Sequence, residues 1–344
     1  MTPTHSPAAP QPTMQAVVKT GPGESLEIGP VPRPSPSPQT VEVQVSATGI
    51  CGTDVHILKD EYAHETPVIL GHEITGRVTR AGSEQDGEWV GRRVACETYF
   101  TTCEHCLNCR RGRRNLCRRR RSIGSFAHGG FADFVEVPTR NLHEIPEWLD
   151  DVEGALMEPL ACVAQCLMDP AVVQPGDAVL VTGPGTMGVL AGQVARAAGG
   201  NVTVVGLEAD APRLQIAEVL GLQTTTAGIE ESSHDVVVEC SGKAGGAAAA
   251  LRAASRGGRY VQVGIFGEDV SLPADQILYK ELLVSSGFAS TAASWRRALR
   301  LVLDRQVTLA PLVSRRVPLE EFLSAVRAAE RGEGMKTVVV PTQA

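Results

Sequence analysis

Asp177-Ala178-Val179-Leu180-Val181-Thr182-Gly183-Pro184-Gly185-Thr186-Met187-Gly188 reads as a strand, a tight turn and the opening of a helix. The run from Asp177 to Thr182 is short and mostly apolar, as a parallel strand buried on both faces would be. An Ala-rich helix is expected from about Gly188 to Ala198. Gly183, Gly185 and Gly188 keep a G-x-G-x-x-G spacing. The first glycine makes the turn, the second lets the backbone approach a pyrophosphate, and the third packs helix on strand. Free N–H groups at the helix start would then face the phosphates. Alone this spacing is a weak signal, and a plain Gly-rich loop is the alternative. Its setting in a strand–helix–strand unit makes it specific.

Working outward, the alternation continues. A strand is expected at Asn201 to Val205, a helix at Ala211 to Leu220, a strand at Asp235 to Glu239, a helix at Gly245 to Ala254 and a strand at Arg259 to Val263. Strands and helices in strict alternation predict a doubly wound parallel sheet, the Rossmann arrangement, over 169–287. The flanking stretches, 14–168 and 288–344, are β-rich and loop-rich. Val41-Glu42-Val43-Gln44-Val45 alternates at period 2, a half-buried strand, and one amphipathic helix is expected at Leu319 to Ala329. The parallel unit is thus inserted between two parts of a β-rich unit, with a cleft expected between them.

Composition bounds the function. The chain has 344 residues, 43% hydrophobic and 21% charged, with a net charge of −7. That length suits two compact domains, and the acidic balance argues against general nucleic-acid affinity. No apolar run approaches the ~20 residues of a membrane span. Residues 1–13 are expected to be a disordered tail, with Met14 an alternative start, and they lack the features of a signal or transit peptide. A cytoplasmic setting follows as the expectation, where disulfides are rare.

The cysteines therefore need another account. Cys103, Cys106, Cys109 and Cys117 lie within a lobe at about 96–122. Four thiolates at such spacing form a closed tetrahedral zinc site, and closed sites are structural. An iron–sulfur cluster is the rival by ligand type. A nucleic-acid zinc ribbon is another, since Arg110, Arg111, Arg113, Arg114 and Arg118 to Arg121 flank the lobe. The arginines read more simply as a solvated face or a subunit contact.

A second donor set is more dispersed. Cys51-Gly52-Thr53-Asp54-Val55-His56 follows a strand, Gly71-His72-Glu73 comes about 20 residues later, and Met157-Glu158-Pro159-Leu160 closes the β-rich part. Each piece alone is weak. Together they supply a thiolate, an imidazole and carboxylates, and catalytic zinc keeps three protein ligands plus one open position. Zinc there would act as a Lewis acid on an alcohol or ketone oxygen.

These motifs, in this order, resemble the zinc-containing medium-chain alcohol dehydrogenases, from about Met14 to the end. Within that family the chain looks most like the sorbitol (polyol) and L-threonine 3-dehydrogenases. The resemblance implies a GroES-like catalytic domain beside the Rossmann domain, two zinc ions and NAD, with NADP the alternative. It implies zinc ligation by Cys51, His72 and Glu73, with Glu158 touching the ion directly or through water. Thr53 would take the substrate hydroxyl proton and His56 would pass it to solvent. Asp54 would orient His72. For the cofactor it implies Thr186 and Met187 in the glycine loop, Cys240, Val263-Gly264-Ile265 and Ser286-Gly287-Phe288 around the nicotinamide, and Lys336 at the pyrophosphate. Gly206 departs from the family, where NAD users commonly show Asp. Glu208 is expected to serve the ribose diol instead, and Arg213 is the residue that would greet a 2′-phosphate. The expected reaction moves a hydride between a secondary alcohol, such as a polyol, sugar, cyclitol or aminocyclitol, and NAD. An L-threonine 3-dehydrogenase-like enzyme is the alternative, and a silent redox sensor of the same fold is the non-enzymatic one. A homodimer or homotetramer is expected, with Val261 to Leu272 extending the sheet across a two-fold axis.

Overall fold

The structure, a computed structural model, describes residues 12–342. Its centre is a six-stranded, all-parallel sheet. The strand order is Gln223–Thr225, Asn201–Val205, Ala178–Thr182, His234–Glu239, Ala254–Gln262, Leu283–Ser286. The order reverses beside Ala178–Thr182, and a crevice opens there at the carboxyl ends of the strands. Val236, Val237 and Val238 have no exposed surface. Full burial of each stabilises by roughly 1.5–3 kcal/mol before entropy is counted.

The glycine turn shows why these residues stand there. Gly183 has φ +89°, a left-handed backbone, and a Cβ on it would meet Ser241 Cα at 2.7 Å. A Cβ on Gly188 would strike Gly183 O at 1.9 Å, whereas one on Gly185 would meet nothing within 4 Å. The side of the loop at Gly185 is therefore open. The helix begins at Thr186, with Gly185 as N-cap, rather than at Gly188 as expected. The last long strand also begins earlier than Arg259, at Ala254, through an irregular register at His234/Val236.

The β-rich part is built on Thr40–Gly49, which pairs with Glu73–Ala81, with Phe134–Pro138 and with Lys336–Val339 near the C-terminus. Its strand does alternate, but Glu42 is buried rather than solvated. Arg33, Arg80 and Thr79 cover its carboxylate, so the polar face is roofed by ion pairs. Leu319–Glu321 forms a 3₁₀ turn before the helix Phe322–Glu330. Of the expected tail, residues 1–11 lie outside the described residues, while Thr13 already belongs to the strand Thr13–Lys19. The helix Met157–Met168 joins the two parts: Leu156, Leu160 and Val163 share one core with Val179, Val338 and Trp295. No helix of the described residues is long and apolar enough to cross a membrane.

Candidate active site

Cys51 ends the approach to a short helix, Gly52–Leu58, and is its N-cap. Asp54 Oδ2 accepts the Cys51 N–H at 2.8 Å, which fixes the start of that helix. Gly71 precedes His72 with φ +92°, packed so closely on Thr48 and Phe131 that a side chain there would clash. The turn delivers His72 and Glu73 opposite Cys51, and the three donors lie within 4.8 Å of one another. Asp54 Oδ1 stands 3.8 Å from His72 Nδ1, beyond hydrogen-bond reach.

This donor set fits a metal. Glu73 Oε2 and Asp54 Oδ1 are buried without a hydrogen-bond partner among the described residues. An unpaired buried oxygen costs roughly 1–3 kcal/mol, so a cation among these side chains would satisfy an existing debt. Gly49 makes the room, since a Cβ there would lie 2.0 Å from Glu73 Oε2. Burial pushes the Asp54 carboxyl up from its ordinary range, with the His72 imidazole opposing. Thiolate, imidazole and carboxylate are zinc's donor types.

Glu158 lies in the first turn of Met157–Met168, outside that three-donor group. It accepts the Cys162 thiol at 3.3 Å, and burial raises its pKa. Thr53 Oγ1 sits 3.8 Å from Cys51 Sγ. His56 Nδ1 meets Glu61 Oε2 at 2.7 Å, and Gly267 packs over the ring. The ring is thus tied to a surface carboxylate.

The lobe gathers Cys103, Cys106, Cys109 and Cys117, whose sulfurs also lie within 4.8 Å of one another. Backbone N–H groups point at them, from Cys106 to Cys103 Sγ at 3.4 Å and from Cys109 to Cys106 Sγ at 3.5 Å. These four thiols can hold a second zinc in a closed site.

Two family matches cover most of this architecture. Residues 37–147 match the alcohol dehydrogenase GroES-like domain, and residues 186–304 match the zinc-binding dehydrogenase domain. The chain belongs to the zinc-binding alcohol dehydrogenase family. It is 34% identical to a sorbitol dehydrogenase of Halalkalibacterium halodurans, over 95% of this chain and 99% of the relative. A D-arabitol-phosphate dehydrogenase of Enterococcus avium is 29% identical, over 95% of this chain and 97% of the relative. Among solved structures, a zinc-binding dehydrogenase of Sinorhizobium meliloti bound to NADP superposes with TM-score 0.88 at 34% identity, covering 96% of this chain and 100% of that one.

As a zinc-dependent alcohol dehydrogenase the chain uses a nicotinamide cofactor. Cys240 N donates to Thr182 O at 3.0 Å beside the glycine turn. Val263 N and Gly264 N both donate to Glu239 O, while Ile265 projects into solvent. Gly287 is pressed on Cys166, where a Cβ would meet Sγ at 2.7 Å. Phe288 is half exposed beyond it.

Beyond the strand Asn201–Val205, Glu208 Oε1 accepts the Thr226 hydroxyl at 2.7 Å. Arg213 is spent elsewhere: its guanidinium donates to Gly334 O at 2.9 Å and also to Gly332 O. Asp210 caps its own turn by accepting Leu207 N–H at 2.9 Å. An Asp at position 206 would crowd Pro184, since a Cβ there lies 2.9 Å from its Cγ. Lys336 Nζ is committed to Glu73 Oε1 at 2.7 Å and Ile50 O at 3.0 Å.

Three of these features were not foreseen. Lys336 engages Glu73, residues 263 apart, a pairing no local pattern signals. Glu239 is fully buried and accepts from Ser241, Gly242 and Gln262, which organises the strand ends of the crevice. An acidic residue closing the Val236–Val238 run was its visible trace. Asn115, in the lobe, reaches the Phe288 loop.

Proposed function

We propose that this enzyme oxidises a secondary alcohol of the polyol, sugar, cyclitol or aminocyclitol class to a ketone, with NAD as acceptor. The observation that carries the reading is the Cys51–His72–Glu73 cluster, with an unpartnered Glu73 oxygen inside it. Its chain-level likeness to a sorbitol dehydrogenase supports the substrate class. The C–H hydrogen leaves with its electron pair to the nicotinamide, the O–H proton leaves separately, and a C=O bond forms. Cys51, His72 and Glu73 would hold a zinc ion, with Glu158 close by as a further carboxylate, and the bound metal would supply Lewis acidity to an alcohol oxygen. Thr53 takes the hydroxyl proton, and His56 hands it to solvent past Glu61. Cys103, Cys106, Cys109 and Cys117 would hold the structural zinc. A cytoplasmic setting suits nine free cysteines.

The test is an NADH-absorbance screen of polyols, cyclitols, aminocyclitols and L-threonine on wild type and Thr53→Ala. Thr53→Ala should lose on the order of 10²–10⁴-fold in kcat. His56→Ala should lose less, because water can substitute. Full activity in Thr53→Ala would remove the relay, and turnover of L-threonine alone would move the enzyme to the threonine branch.

We also infer a homo-oligomer. The edge expected for its contact, Val261 to Leu272, is strand only as far as Gln262. The apolar edge is instead Leu283–Ser286 with its neighbouring helix, where Leu278, Tyr279 and Leu283 are each more than 60% exposed. A free parallel edge with such residues is a pairing surface. Light scattering at micromolar concentration decides it; a monomeric mass would contradict the inference.

A further inference from the structure

The arginines of the lobe are not explained by the dehydrogenase reading. Residues 103–121 carry eight arginines and one glutamate in a chain of net charge −7. Four thiolates around one divalent cation leave two negative charges, which offset only part of this excess. The remaining positive charge has few internal partners. Arg114 pairs with Glu104, Arg140 stands 4.0 Å from the same carboxylate, and Arg121 pairs with Glu65. Arg120 turns inward, donating to Asn115 O at 2.6 Å and lying over the Phe288 ring. Among the described residues no ion pair reaches Arg118 or Arg119, and both are exposed.

These side chains line a cleft. A cavity of about 570 Å³ opens between the lobe and the hairpin Tyr99–Thr101 with Arg121–Ser122. Arg118, Arg119, Arg120 and Arg121 line it together with Thr101, Cys103 and His105. Its lining includes none of Cys51, His72, Glu73 or Glu158, so it is separate from the reactive site. Its volume suits a small ligand. Consecutive guanidinium groups around a concave space recognise phosphate by charge-assisted, bidentate hydrogen bonds.

We propose that this cleft is a binding site for a phosphate group, borne by a small phosphorylated metabolite or by free phosphate. One of its arginines, Arg120, also lies over the Phe288 ring and donates to Asn115 O, and Asn115 in turn donates to Phe288 O.

The test uses the full-length holoenzyme with its zinc, saturated with NADH so that phosphate cannot enter the dinucleotide site. Glycerol 1-phosphate and inorganic phosphate are titrated by calorimetry against sodium chloride at matched ionic strength, on wild type and Arg118→Ser/Arg119→Ser. Saturable binding of either probe by wild type, weakened at least about tenfold in the double variant at unchanged zinc content, supports the site. Weakening should also appear as added salt raises the wild-type Kd. Equal binding by both proteins, or none above chloride, overturns it. A change of oligomeric mass in the double variant with phosphate binding intact also overturns it, and assigns the arginines to a contact between copies.

Discussion

Asn115 and Phe288 are joined across 173 residues: the Asn115 side-chain N–H donates to the Phe288 carbonyl at 2.8 Å. Asn115 is fully buried within the four-cysteine lobe, and Arg120 lies over the Phe288 ring, 4.2 Å from its centroid. The lobe therefore does more than hold its own loops. It ties down the segment that follows Gly287.

Replacing Asn115 by Ala should loosen that segment while leaving all eight metal-ligand candidates in place. Loss of one buried hydrogen bond of this kind costs roughly 1 kcal/mol. We expect KM for the dinucleotide to rise several-fold, with kcat changing less and zinc content unchanged. Unaltered cofactor kinetics would show that the contact is only a packing detail.

The two donor sets should separate on metal removal. Cys106→Ser should lower the melting temperature or the soluble yield, because a closed zinc site contributes folding free energy directly. Cys51→Ser should abolish turnover while the melting temperature changes little. Zinc analysis of wild type should give two ions per chain, one for each donor group. One ion in a folded and active chain would contradict the assignment.

Glu42 sets an acid limit on stability. Burial alone would raise its carboxyl pKa, but hydrogen bonds from Arg33, Arg80 and Thr79 outweigh burial and hold it at about 2. A folded-state pKa below the unfolded value means stability that is present above about 4.5 and is lost as pH falls towards 2. Glu42→Gln leaves two guanidinium groups without their carboxylate and should cost roughly 2–3 kcal/mol at pH 7. Urea titrations from pH 7 to pH 3 should show a flatter acid limb in the variant. Parallel curves would mean that Glu42 contributes nothing pH-dependent.

We predict that cofactor choice turns on Glu208. Its carboxylate repels a 2′-phosphate and can accept from a ribose 2′-OH, while Arg213 is occupied by the Gly332 and Gly334 carbonyls. We expect higher kcat/KM with NAD than with NADP, and Glu208→Ala should narrow the ratio. Arg213→Ala should lower stability and leave that ratio nearly unchanged. Preference for NADP in wild type, or a collapse of NADP use in Arg213→Ala, would reverse the assignment.

The parallel sheet and the lobe were legible from the chain alone. Both are written in local patterns: an apolar run, glycines at fixed spacing, and cysteines within 15 residues of one another, so near neighbours suffice to read them. The order of the four central strands and their helices needed no distant information, and their ends shifted only slightly, as Thr186 shows, whereas the two edge strands Gln223–Thr225 and Leu283–Ser286 carried no such pattern and emerged only in the folded sheet. How distant charges are shared emerged only on folding. Glu42 looked like the wet face of a strand, yet Arg33 and Arg80 bury it. Lys336 looked like a phosphate ligand and stands on Glu73, and Arg213, the residue placed to greet a 2′-phosphate, is held by a loop more than 100 residues away. Periodicity reports which face a side chain occupies. It carries no term for a partner brought close by folding, and a buried charge is stable only where such a partner arrives.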